Sequence, residues 1–134
     1  MDAIQVNYLA VIVAGLTGFP LGFLWYGPLF EKPWMAALGK TRETTTPPPP
    51  AYWGLIALGA IVSALVIAVV QGWAGAATLI DGVLVALVLG VGLIVTESLK
   101  LLVYEGRSMV LLNINNGYTL VHFAIMGAIL GVWR

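Results

Sequence analysis

The sequence predicts an all-α polytopic membrane protein, with four transmembrane helices in two hairpins. Three observations predict it. First, the 134 residues are 60% hydrophobic and 9% charged, whereas soluble domains carry about a quarter charged residues. Second, long apolar runs recur along the chain, each near the roughly 20 residues that a helix needs to cross a bilayer. Third, aromatic residues gather at the ends of those runs: Tyr8, Trp25, Tyr26, Tyr52, Trp53, Trp73, Tyr104 and Trp133. That is the belt expected where helices pass the headgroups. A mean hydropathy of +0.99 is more apolar surface than a soluble fold of this length can hide.

The same composition excludes several function classes. Six Lys and Arg balance six Asp and Glu, so no basic surface attracts nucleic acid. Without cysteine there is no disulfide, thiol catalysis or cysteine metal site. The first apolar run lacks a basic leader and is too long for a cleavable signal, so it is expected to stay as a span.

The first span is expected over residues 4–26. Ala10, Ala14, Gly18 and Gly22 recur every fourth residue, so they share a face where another helix can approach closely. Gly27-Pro28 should end it. The polar loop 29–51 should hold a short interfacial helix around Pro33–Leu38, ended by Gly39, and then a stiff spacer through Pro47-Pro48-Pro49-Pro50. The second span is expected over 52–73, with Ala57, Ala60, Ala64, Ala68 and Gln71 on one face. The third runs over 79–104, where an ideal wheel groups Gly82, Ala86, Gly90 and Glu97, placing Glu97 on the packing face. The fourth runs over 108–133, with Ser108 as its N-cap and Gly127 and Gly131 on a small-residue face.

Four spans place both termini on one side. Lys32, Lys40, Arg42 and Arg107, with Lys100 nearby, face Arg134 alone on the other. The positive-inside rule then makes loops 29–51 and 104–107 cytoplasmic and both termini external, in the plasma or inner membrane.

Polar residues at membrane depth concentrate in the last third of the chain. The candidate site comprises Glu97, Lys100, Asn113, Asn115, Asn116, Thr119 and His122. Glu97 and Asn115 lie about nine residues either side of the intervening turn, hence at similar depth. His122 lies roughly 10 Å deeper, which argues against a direct Glu97–His122 pair. Intramembrane ionisable groups are functional candidates, but each has a plainer role. Lys100, one turn away, can hold Glu97. His122 and the asparagines can be hydrogen-bonding glue between helices. One histidine and no cysteine do not make a metal or haem site, and no cofactor is expected. The fourth span presents Asn115, Thr119 and His122 on one face and Gly117, Ala124, Gly127 and Gly131 on the other. The glycine face is expected to meet the chain's own helices, leaving the other for a partner or cavity.

Two stretches carry a resemblance. Tyr104-Glu105-Gly106-Arg107, Asn113-Ile114-Asn115-Asn116-Gly117-Tyr118 and Met126-Gly127-Ala128-Ile129-Leu130-Gly131 resemble the C-terminal signature of the domain of unknown function 1761 family. Leu21-Gly22-Phe23-Leu24-Trp25-Tyr26-Gly27-Pro28-Leu29-Phe30 and Lys32-Pro33-Trp34-Met35 resemble its N-terminal one. The asparagine run here is richer than the family's usual single Asn before Gly-Tyr. The resemblance implies a small four-helix integral membrane protein and no established activity.

Two function classes follow. One is a non-catalytic bundle that self-associates, a dimer first, or joins a larger membrane complex. The other is a small oligomeric transporter or channel with Glu97 as a proton or cation site. Catalysis is not expected, since no base lies within reach of Ser98 or Ser108 and no carboxylates pair at helical spacing.

Overall fold

A computed structural model describes residues 4–41 and 43–133. The charges expected at Arg42 and Arg134 lie outside the described residues. Five helices account for the fold, with no strand among the described residues. Helix α1 spans Tyr8–Leu29, α3 spans Pro50–Ala74 and α4 spans Leu79–Tyr104. The short α2 is Glu31–Leu38, and α5 is Met109–Val132.

Local chemistry sets the helix ends. The Asn7 side chain accepts from the Ala10 N–H at 3.1 Å, so α1 starts at Tyr8 and not at residue 4. Thr78 and Ser108 cap α4 and α5 in the same way, accepting from Asp81 N–H and Val110 N–H, each at 3.1 Å. Pro50 opens α3 at a first-turn position, where its missing N–H costs nothing. Gly39 and Gly75, both with φ of 69°, end α2 and α3 in the left-handed region that glycine enters without strain.

The long helices are not uniform. Helix α1 is interrupted at Thr17, three residues before Pro20, whose ring crowds the preceding turn and cannot donate. At Gly27-Pro28 the helical dihedrals break, as expected, and α1 closes one residue later, at Leu29. That last turn, Trp25–Leu29, is π-helical and absorbs the proline with non-helical dihedrals at Gly27. A second π-helical turn, Gly90–Val95, interrupts α4.

Helix α3 packs on α1 and α5 packs most extensively on α4; α5 also touches α1, α2 and α3. The core is built of small residues. Ala10, Ala14, Ala64 and Ala86 are completely buried, joined by Ile67, Met126 and Leu130. The outside is apolar. Leu9, Phe23, Leu55, Leu58, Ile80, Leu84, Val88 and Leu93 are each more than half exposed. A soluble fold would bury such residues, and hydrocarbon suits them.

Three helices, α1, α3 and α4, are long and apolar enough to cross a membrane. The expected fourth, α5, has 24 residues, but Asn113, Asn115, Asn116 and His122 dilute its apolar content.

Candidate functional site

Asn115, Tyr118 and His122 of α5 face α1, and a seam of directed hydrogen bonds joins the two helices. Trp25 Nε1 donates to the Ile114 carbonyl at 2.9 Å. Tyr26 Oη donates to Asn115 Oδ1 at 2.8 Å, and Tyr118 Oη to the Gly18 carbonyl at 2.8 Å. His122 is 6% exposed and sits over Gly18, where a Cβ would come within 2.7 Å of its Cε1. Its Nε2 is buried with no hydrogen-bond partner among the described residues. Gly117 makes room for the Trp25 ring, which a Cβ there would approach to 2.9 Å. Thr119 is satisfied within its own helix by the Asn115 carbonyl, at 3.2 Å.

This overturns one expectation. Asn115 and His122 are not left over for a partner; α1 covers them within the same chain. The cause lies in Trp25, Tyr26 and Gly18. The aromatic pair reaches back from the end of α1 to bond α5, and the glycine lets His122 settle on the α1 backbone.

The opposite face of α5 meets α4. A Cβ on Gly82 would fall on the Gly127 carbonyl, and one on Gly127 would meet Ala86 Cβ at 2.7 Å. One on Gly131 would lie 2.7 Å from the Thr78 carbonyl. Gln71 of α3 is fully buried beside this crossing, with Nε2 donating to Gly127 O at 3.0 Å and Gly82 O at 3.2 Å. Gly90 lies against Leu120 and Phe123, and Gly15 against the α3 backbone at Ala60 and Ile61.

Glu97 needs a second correction. Its side chain is 69% exposed and pairs with Lys100, itself 60% exposed, so it is not on the packing face. The π-helical turn Gly90–Val95 explains this. One extra residue in a turn rotates everything beyond it by roughly 100° relative to an ideal wheel. Asn113 also faces outward. Asn116 stands apart from Glu97 and donates instead to Ser98 Oγ at 2.8 Å. The seven candidate residues therefore fall into separate groups: Asn115 and His122 in the α1 seam, Thr119 bonded within α5, Asn116 on α4, and Glu97, Lys100 and Asn113 outside.

Beside the seam is a half-open cavity of about 710 Å³. Gly18, Gly22 and Gly27 of α1 line one side of it. Phe19, Phe23, Tyr26, Trp34, Trp53 and Tyr118 supply aromatic walls, and Ile56 of α3 and Glu31 of α2 complete the lining. The rings contact one another at an angle. Tyr26 meets Trp34 at 4.9 Å and 56° between planes, Tyr118 at 5.5 Å and 44°, and Phe19 meets Trp53 at 6.3 Å and 48°. Sequence reasoning missed this groove because Trp25, Tyr26 and Trp53 read as interfacial anchors. The available signal was the spacing of Gly18, Gly22 and Tyr26, which repeats every fourth residue and brings glycines and an aromatic ring to one wall.

An all-α chain with three membrane-length apolar helices is compatible with a membrane protein. The chain belongs to the family described as protein of unknown function (DUF1761), whose model matches residues 9–131. No curated protein and no solved structure matches it.

Proposed function

We propose that this is a four-span integral membrane protein of the cell membrane that binds a small apolar or amphipathic molecule and transforms nothing. The carrying observation is the groove. It is roomy, walled by glycines and aromatic rings, and supported by a hydrogen-bonded α1–α5 seam. Ligand sites are of this kind: concave, mostly apolar, largely pre-formed, with few polar groups. Helix α5 counts as the fourth span in this reading. Apart from Asn113, its asparagines and His122 are turned onto α1 and α4, which is how a polar helix is accommodated in lipid.

Native mass spectrometry from neutral detergent tests it. The wild-type protein should retain a small molecule or lipid that Gly22→Leu loses. Gly22 lines the groove, and a Cβ there is 3.8 Å from its nearest neighbour, the Tyr118 ring, so a larger side chain can start at this position without a clash at Cβ. Equal retention by both proteins, or none by either, would defeat the reading.

Self-association is a second reading, favoured by the exposed Glu97–Lys100 pair on a helix of membrane length. Charges facing lipid are expensive, and a second copy covering α4 would shield them. The transport alternative depends on the same face, because Glu97 could line a path only between copies. The mass measurement reports copy number, and a single copy would remove both.

A further inference from the structure

We propose that the groove takes a lipophilic organic cation, a quaternary ammonium or protonated amine carried on an apolar body. This rests on the groove being a binding site and narrows what it binds. Glu31 is the one charged side chain among the described residues lining it. The two phenols spend their protons inward: Tyr26 donates to Asn115 and Tyr118 to Gly18. What they retain toward a ligand is lone pairs and ring faces. Side-chain donors among the described lining residues reduce to the indole N–H groups of Trp34 and Trp53, which leaves little to hold an anion.

The walls therefore offer negative potential from two sources. Aromatic faces attract cations through the ring quadrupole, Trp most strongly. The ring pairs are tilted rather than stacked parallel, the arrangement in which ring edges and faces meet. A carboxylate in a partly desolvated site attracts a cation more strongly than it does in water. Glu31 has an interaction of its own within the chain. A carboxylate has about four acceptor positions, so a ligand can share it. The glycine wall leaves space for the apolar body: nothing lies within 4 Å of a Cβ built on Gly27.

The test compares benzyltrimethylammonium with its neutral carbon isostere, neopentylbenzene. Both are measured by equilibrium dialysis against protein in dodecyl maltoside, a detergent with no charge and no ammonium group, and corrected for empty micelles. The cation should bind about tenfold more tightly than the isostere, as cation–π and carboxylate attraction together suggest. Glu31→Gln should cut that preference to about threefold, the share left to the rings, while leaving the isostere unchanged. Trp53 is 44% exposed, so Trp53→Leu should fold, and it should weaken the cation about threefold more than the isostere. If Glu31→Gln does not fold, the Trp53 variant decides: an unchanged cation preference overturns the proposal. Equal binding of both probes overturns the cation while the groove stands. Binding of neither, with no ligand lost on Gly22→Leu, removes the groove as well.

Discussion

A methyl group on Gly18 would sit 2.7 Å from His122 Cε1 and 2.9 Å from Tyr118 Oη. Both neighbours are held, His122 by burial and Tyr118 by its bond to the Gly18 carbonyl. Gly18→Ala must therefore push the seam apart. Overpacking of this kind costs about 1–3 kcal/mol, and thermal unfolding in detergent should show a clear drop in midpoint. Tyr118→Phe keeps the ring and deletes one interhelical hydrogen bond. In membrane proteins such bonds average about 0.6 kcal/mol, so its loss should be smaller than that of Gly18→Ala. Gly59→Ala is the control: nothing lies within 4 Å of its Cβ position and alanine favours the helix, so its midpoint should not fall. If Gly18→Ala matched Gly59→Ala, the close α1–α5 contact would be wrong.

At the scale of elements, the α4–α5 crossing brings backbone close to backbone at Gly82 and Gly127, and Gln71 bridges it from a third helix. The carbonyls of Gly82 and Gly127 sit at the contact because neither residue has a side chain to hold the helices apart. Gly82→Ala should separate them, since backbone and not a flexible side chain is in the way, and the folded peak on size exclusion should be lost. Gln71→Leu should be milder. It deletes two bonds of about 0.6 kcal/mol on average, and the protein should stay folded with a lowered midpoint. Equal effects from the two variants would mean that backbone approach is not what fixes this crossing. The small-residue faces were legible in the sequence, because Ala10, Ala14, Gly127 and Gly131 carry helical spacing and close packing needs small side chains. Glu97 was misread for a physical reason. An ideal wheel assumes 3.6 residues per turn, and nothing in Gly90-Val91-Gly92-Leu93-Ile94-Val95 announces the wider turn that rotates Glu97 outward. The groove was hidden for a different reason. An aromatic residue anchoring a helix at the headgroups and one bonding a neighbouring helix are the same letters, and the contacts of Trp25 and Tyr26 with Ile114 and Asn115 join positions 89 residues apart.

For the whole molecule, the decisive quantity is the number of crossings. Three helices are apolar enough to cross on composition alone, and α5 is the one in question. Its length matches theirs, and its polar atoms are largely satisfied inside the bundle: Asn115 by Tyr26, Asn116 by Ser98 and Thr119 within its own helix. A polar helix that hides its polar atoms on its neighbours can lie in hydrocarbon at little cost. A composition average counts those atoms as though they faced lipid. The count fixes the sides. With four crossings, the loop after α1 and the end of α5 lie on opposite sides of the membrane; with three, they lie on the same side. The chain has no cysteine, so a single introduced thiol reports without background. Thr46→Cys lies in the exposed loop before α3 and Trp133→Cys just beyond α5. In sealed cells, an impermeant maleimide should label Trp133→Cys and reach Thr46→Cys only after permeabilisation, because the basic loops are expected inside. Labelling in the reverse order would keep four spans and invert the orientation. Labelling of both from one side would mean that α5 does not cross, and the α1–α5 seam would then have to form at the membrane surface.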